Sequence, residues 1–190
     1  MILLSSAALM VSASLAQDVR GDASRGERLF KDLKCSTCHS VNGVGGKSAP
    51  SLGGSGYTPN TMAGAMWSHV TAMWQAMDRA GIKRPQLTAQ QAADLYAFFA
   101  GGFNPDKPGD AGRGRQIYQG KLCASCHDAV ETGAPRLAGR PEGFSSFSMV
   151  SSLWMHGGGM LSRMVAKNLQ WQQLSTDEVG NLIAYLNTKK

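Results

Sequence analysis

The sequence contains one short motif twice, as KCSTCHS at residues 34–40 and as LCASCHD at residues 122–128. In each copy two cysteines stand three positions apart, and a histidine follows the second cysteine directly. On a turn of helix, side chains at positions i and i+3 face the same side and the side chain at i+4 lies beside them. Each motif therefore presents two thiols and one imidazole on a single surface.

The two motifs belong to a longer internal repeat. Residues 21–41 align without a gap on residues 109–129, and residues 66–99 align on residues 153–186. The loops between these blocks differ slightly in length, whereas the blocks keep their spacing. Such self-similarity indicates two copies of one structural unit.

A Gly- and Pro-rich stretch at residues 101–110 joins the copies and is typical of a linker. We therefore predict one domain at residues 17–104 and a second at residues 105–190. Residues 1–16 are uncharged, mostly apolar and end in Ser-Leu-Ala, which is typical of a secretory signal peptide, although a retained anchor is the alternative. Export would place the protein in the periplasm, either soluble or peripherally associated with the membrane.

Each half shows the same three helical stretches and no alternating strand pattern of useful length, so the predicted fold class is all-α. The third stretch begins at Thr88 and at Ser175, each followed three residues later by Gln or Glu, the pattern of a capping box. The first two stretches are predicted at residues 24–33 and 61–80 in one half, and at residues 112–120 and 146–167 in the other.

The Cys-x-x-Cys-His pattern is the sequence rule for covalent attachment of c-type haem. Two copies in register, in a chain with an export signal, predict two covalently attached haem c groups. The covalent ligands are Cys35, Cys38, Cys123 and Cys126. A four-cysteine zinc site would not need a histidine after each pair, a thioredoxin-like pair would need a βαβ setting, and two disulfides would leave the histidines unexplained.

The chain resembles the class I c-type cytochromes, in a tandem di-haem form, over nearly all of residues 21–188. The resemblance rests on the Gly-Asp-Ala start of the first helix, the two Cys-x-x-Cys-His turns, the Pro-x-Leu loops and the closing helices. It implies two helical domains, each wrapped around one haem. It also implies that His39 and His127 are axial ligands of the two irons.

The resemblance assigns further roles around each haem. It implies that the backbone carbonyls of Pro50 and Pro135 accept the Nδ1 proton of the axial histidines, which would orient the rings. It implies that Gly26 with Phe30, and the matching glycine and tyrosine of the second half, lie where the first and last helices cross.

The second axial ligand is predicted on the middle helix. Three residues in each half share one helical face at positions i, i+4 and i+8, namely His69, Met73 and Met77, and His156, Met160 and Met164. HGGGM at residues 156–160 resembles the glycine-bearing turn that precedes the ligating methionine in simpler members, which favours Met160 and, by the repeat, Met73. Met77 and Met164 stay as alternatives, the two histidines are expected to line the pocket, and Trp67 and Trp154 to pack on the macrocycle.

The net charge limits the classes of function that the chain can have. The sequence also shows no recognisable catalytic nucleophile or acid-base pair. The formal charge of +6 falls to about +2 once four haem propionates are counted, so nucleic-acid binding is not expected. We predict an electron carrier of a respiratory or oxidative chain that acts on no small-molecule substrate. Its donor and its acceptor are expected to be redox proteins, and a membrane-bound oxidoreductase is one candidate. The alternatives are a haem-bearing subunit of a larger oxidoreductase, or an enzyme acting at an iron whose distal ligand is displaced.

Overall fold

The structure is a computed structural model that describes residues 19–189, so the predicted signal segment lies outside the described residues. The first half contains α1 (Ala23–Asp32), a 3-10 turn (Cys35–Thr37), β1 (Ser40–Val41), β2 (Val44–Gly45), α2 (Pro59–Arg79) and α3 (Ala89–Ala100). The second half contains α4 (Ala111–Gly120), α5 (Ala124–His127), a 3-10 turn (Val130–Thr132), α6 (Ser146–Ala166) and α7 (Thr176–Leu186). Both halves are helical, which confirms the predicted all-α class.

The closing helices begin where the capping boxes predicted. At α3 the Thr88 hydroxyl accepts the backbone N–H of Gln91, and the Gln91 side chain accepts the N–H of Thr88. Ser175 and Glu178 make the same reciprocal pair at α7. Each box satisfies two N–H groups that the helix itself leaves without partners.

The structure adds one small antiparallel hairpin that the sequence analysis did not predict. Strands β1 and β2 pair Ser40 with Gly45, and the two residues between them, Asn42 and Gly43, both have positive φ. Asn-Gly is the preferred dipeptide for a two-residue hairpin turn of this kind. The hairpin directly follows the first Cys-x-x-Cys-His motif and shapes the loop beside it.

In the first half, α1 crosses α3 at a glycine. A Cβ at Gly26 would overlap the backbone carbonyl of Asp94 and lie 2.8 Å from the Cβ of Phe98, so only glycine fits. One turn later the Phe30 ring packs against Phe98 at 5.6 Å between centroids. This is the crossing that the family resemblance implied.

The second half repeats the crossing between α4 and α7. A Cβ at Gly114 would overlap the carbonyl of Asn181 and lie 2.7 Å from the Cβ of Tyr185. Tyr118 takes the place of the phenylalanine, with its ring 5.4 Å from that of Tyr185. The two halves thus share a backbone arrangement but differ in polarity at this position.

A buried carboxylate ties the first crossing together. Asp94 on α3 accepts hydrogen bonds from the Arg25 guanidinium, the Asp22 N–H and the Gln90 amide at 2.8 to 3.0 Å. Burial by itself would raise the pKa of Asp94, but these hydrogen bonds outweigh it and lower the pKa below its ordinary value. The second half has the neutral Asn181 at this place, which accepts the N–H of Asp110.

The middle helices hold the two halves together. Helix α2 packs mainly against α6 and α7 of the second half, and α6 packs mainly against α2 and α3 of the first half. Each middle helix therefore covers the closing helix of the other half more than that of its own. The two halves therefore pack against each other and are not separate domains joined only by a linker.

All four tryptophans of the chain meet at the interface between the halves. The Trp67 indole donates to the carbonyl of Gln172 at 2.7 Å, and the Trp171 indole donates to the carbonyl of Trp67 at 2.8 Å. Trp74 packs edge-on against both Trp154 and Trp171. These contacts place Trp67 and Trp154 at the interface, a location that the sequence analysis did not predict.

A linker aspartate joins the starts of the two middle helices. Asp106 accepts the backbone N–H of Asn60 at 2.9 Å, and the Ser146 hydroxyl lies 2.7 Å from the Asn60 side-chain oxygen and 3.4 Å from Asp106. Asn60 and Ser146 are buried. The negative charge stands at the N-terminal end of α2, where the helix dipole favours it.

Candidate functional site

The first Cys-x-x-Cys-His motif forms a tight turn after α1. Lys34 adopts a left-handed conformation with φ of 64°, which reverses the chain after the helix. The backbone N–H of His39 then donates to the carbonyl of Cys35 at 3.0 Å, and the N–H of Cys38 donates to the same carbonyl at 3.2 Å. The two cysteines and the histidine are therefore held on one turn, as the spacing predicted.

The second motif repeats this geometry. Leu122, with φ of 62°, matches Lys34, and the N–H of His127 donates to the carbonyl of Cys123 at 3.0 Å. Thr132 in the following 3-10 turn donates its hydroxyl to the carbonyl of Cys126 at 2.6 Å. A left-handed residue with a side chain is costly, so its presence at the same place twice indicates that the turn geometry requires it.

The histidines of the two motifs are held by their Nδ1 atoms. His39 Nδ1 lies 2.7 Å from the carbonyl oxygen of Pro50, and His127 Nδ1 lies 2.8 Å from that of Pro135. Because a carbonyl oxygen can only accept, Nδ1 carries the hydrogen in both rings. In the neutral ring this tautomer leaves the lone pair on Nε2, which is the state in which an imidazole binds a metal.

The proline loop of the first half is fixed against the motif. The N–H of Leu52 donates to the carbonyl of Ser40, the residue after His39, at 2.8 Å, and the Ser51 hydroxyl donates to the same carbonyl at 3.1 Å. These bonds keep the Pro50 carbonyl at hydrogen-bonding distance from the imidazole. The orientation of the ring is therefore built into the loop.

No disulfide links the four cysteines of the two motifs. Burial raises the pKa of Cys35 and of Cys123 to about 11, so both are protonated at neutral pH. The zinc alternative would need both cysteine pairs around one ion, and within residues 19–189 no three side chains of His, Cys, Asp or Glu converge on such a position.

The residues of each turn fit a covalently bound haem. Two thiols and an imidazole with a free Nε2 stand on the same turn, which is the donor set that two thioether bonds and one axial bond require. The first cysteine of each motif and the leucine of each Pro-x-Leu loop are partly buried against the apolar core. The turn is thus bordered by the apolar surface that a macrocycle needs.

The methionines proposed for the distal side lie on the middle helices and are partly buried. Met73 and Met77 pack against the interface cluster of Val70, Trp74 and Leu153. With 3.6 residues per turn, Met73 and Met77 lie on a face next to the one that carries Val70 and Trp74. The corresponding residues of α6 are Met160 and Met164, whereas the histidines of this face, His69 and His156, are exposed.

Residues 156–160 lie inside α6, within the helix predicted at residues 146–167, so HGGGM is helical and not the glycine-bearing turn that it resembles. The structure shows a different reason for a glycine at position 157. A Cβ there would lie 2.7 Å from the Cη2 atom of Trp74, so the glycine leaves room for an indole from the other half. The sequence contains a hint of this contact, because the position of Gly157 in the second copy of the repeat is occupied by Val70 in the first. The sequence does not indicate which residue fills the space beside the glycine.

Comparison with known proteins agrees with this geometry. The cytochrome c family model matches residues 23–101 and again residues 111–190. The chain belongs to the cytochrome c family and carries two tandem cytochrome c domains. Members of this family are electron-transfer haem proteins. No curated protein and no solved structure gives a significant match to the chain.

Within the described residues, none of the helices has the length and apolar character needed to cross a lipid bilayer.

Proposed function

We propose that the protein is an exported, periplasmic di-haem cytochrome that passes single electrons between redox protein partners of a respiratory or oxidative chain. The observation that carries the proposal is the pair of matched turns, each with two thiols beside an imidazole whose Nδ1 is held by a proline carbonyl. A haem c group supplies a one-electron couple when it is bound. Two matched turns imply two such groups per chain.

The residues of the first domain, proposed at residues 17–104, have distinct roles in this account. Cys35 and Cys38 hold the macrocycle through thioether bonds, and His39 supplies the proximal nitrogen. Pro50 fixes the orientation of the ring and makes the imidazole a better donor. Met73 is the proposed distal ligand, with Met77 as its alternative.

In the second domain, proposed at residues 105–190, the matching residues have the same roles. Cys123 and Cys126 form the thioethers, and His127 is the proximal ligand held by Pro135. Met160 is the proposed distal ligand. Met164, one turn later on α6, is the alternative.

The packing of the halves supports an internal relay. Because α2 and α6 each cover the closing helix of the opposite half, the two sites are held at a fixed separation by a packed interface. A fixed separation favours transfer between the two groups, since no domain motion has to bring them together. The proposed carrier would thus accept an electron at one half and deliver it from the other.

The test is to add carbon monoxide and cyanide to the native, reduced and oxidised holoprotein. A carrier with both axial positions filled by protein side chains should show no rapid spectral change, and its oxidised form should show the near-infrared band of methionine bound to iron. Rapid and tight binding of carbon monoxide by the native protein would support an enzyme acting at an open iron. Isolation as part of a stable assembly would support an oxidoreductase subunit.

A further inference from the structure

A charged cluster stands beside the second Cys-x-x-Cys-His turn. Lys189 donates to both carboxylate oxygens of Asp128, at 2.7 and 2.9 Å, and the Tyr118 hydroxyl donates to the same carboxylate at 2.9 Å. The Lys189 ammonium also lies over the Tyr118 ring, 4.4 Å from its centroid. Tyr118 is buried and Lys189 is mostly shielded from solvent. Asp128 itself is 42% exposed, so its carboxylate is held by these two donors rather than by burial.

The cluster is attached to the proximal side of the second site. Asp128 follows His127 directly in the sequence, so its backbone is part of the same turn. Lys189 reaches the proximal loop as well, because its carbonyl accepts the N–H of Gly139, four residues after Pro135. The chain end thus joins the turn and the loop that orient the second imidazole.

The first half lacks every member of this cluster. The residues that align with Tyr118 and Asp128 are Phe30 and Ser40, neither of which is charged. Helix α3 is followed by glycines at the place where α7 is followed by the segment that contains Lys189. The two turns share their geometry, but among the described residues only the second has a mostly shielded lysine paired with the residue that follows its histidine.

We propose that Asp128, Lys189 and Tyr118 form a charge clamp that sets the redox potential of the second haem separately from that of the first. The inference rests on the proposed function, because it needs a haem at each turn. Oxidation of a haem iron adds one positive charge, which a nearby carboxylate stabilises and a nearby ammonium opposes. Since the two charges of the clamp are paired, removal of either one leaves the other uncompensated.

The test is a potentiometric titration of the holoprotein in which the two haems are resolved. Asp128→Asn keeps an acceptor for Tyr118 and removes the negative charge, so it should favour the reduced form of the second haem. Lys189→Met removes the positive charge and keeps most of the aliphatic stem, so it should favour the oxidised form. We expect each variant to change the ratio of reduced to oxidised second haem by roughly two- to fivefold at a fixed ambient potential, the range for one partly screened charge.

The double variant and a matched control make the result specific. Asp128→Asn combined with Lys189→Met should give a second potential between those of the two single variants, because the effects have opposite signs, and its difference from the wild type measures the net effect of the clamp. Glu142→Gln is the control, since Glu142 is also a paired carboxylate of the second half but lies in the loop before α6, away from the turn in sequence. Its effect should be smaller than that of Asp128→Asn.

Three results would overturn the inference: single variants that shift the second potential in the same direction, variants that shift both haems equally, or no shift beyond that of the control. A merely structural role would give the first or the last of these. A protein that binds haem with two measurable potentials, yet ignores the substitutions, contradicts the charge clamp alone. A chain that holds no haem contradicts the proposed function as well.

Discussion

Replacing Gly26 by alanine should destabilise the crossing of α1 and α3. The added Cβ would overlap the Asp94 carbonyl and lie 2.8 Å from the Cβ of Phe98, where carbon atoms normally stay about 3.5 to 4.0 Å apart. Both neighbours belong to the closing helix itself, so neither can rotate away. The two helices would have to separate by about 1 Å at their closest point.

The expected cost follows from two opposing effects. Overpacking of this kind destabilises by about 1 to 3 kcal/mol, and more when backbone is involved. Alanine in a helix regains up to about 1 kcal/mol over glycine. Gly26→Ala should therefore lower the free energy of unfolding by about 1 to 2 kcal/mol.

Gly120→Ala is the matched control, because Gly120 is also helical and a Cβ there would have no neighbour within 4 Å. It should leave stability unchanged or raise it by up to about 1 kcal/mol. The measurement is urea unfolding of the holoprotein followed by circular dichroism, with the slopes compared to exclude a change in the unfolded state. If Gly26→Ala proves as stable as Gly120→Ala, the close crossing is not a constraint and the packing argument is wrong.

Three further predictions concern the interface, the buried carboxylate and the distal ligand. Trp74→Ala should destabilise the protein by about 3 to 5 kcal/mol, because Trp74 is 2% exposed, whereas Phe103→Ala, at a residue 71% exposed, should change stability by no more than about 0.5 kcal/mol; equal losses in urea unfolding would refute the interface. Asp94 has a lowered folded-state pKa, so its stabilisation is complete above the ordinary aspartate pKa of about 3.9 and is lost as the pH falls through the lower folded value. Wild type should thus exceed Asp94→Asn in thermal stability at neutral pH and lose that advantage in acid, and an advantage unchanged by pH would contradict the assignment. Met160→Ala should abolish the near-infrared methionine band of the second haem and open that iron to cyanide, while Met164→Ala keeps the band; the reverse outcome would move the ligand one turn along α6.

Local signals in the sequence predicted most of the fold. The capping boxes at Thr88 and Ser175 predicted the starts of the closing helices, since such signals depend only on residues three positions apart. The glycine and aromatic pair of the first helix indicated the crossing through the family resemblance. The Cys-x-x-Cys-His spacing predicted a turn that carries all three donors, and the backbone bonds of that turn are as expected.

The packing between the halves could not be predicted in this way. Trp74 and Gly157 form a contact in which a large side chain enters the space left by a small one, and nothing in either residue's own neighbourhood identifies the other. The repeat suggested similar roles for matching positions, but an interface between two copies allows them to differ. Asymmetric contacts are therefore invisible to an argument from the repeat.

The charge clamp was missed for a related reason. Asp128 and Lys189 are 61 positions apart. The residues around each of them in the sequence do not distinguish it from an ordinary surface residue. Only the fold of α7 back onto the second turn brings them together. The sequence did show that Asp128 replaces Ser40 in the repeat, which marks the position as different without indicating its partner.

The central claim is that each half holds one redox-active haem, and the most direct measurement is a coulometric titration that counts the electrons taken up per chain. The account predicts two electrons for the wild type and one for a variant with Cys123→Ala, Cys126→Ala and His127→Ala, which leaves the first turn intact. Uptake of one electron or none by the fully matured wild-type protein would contradict it.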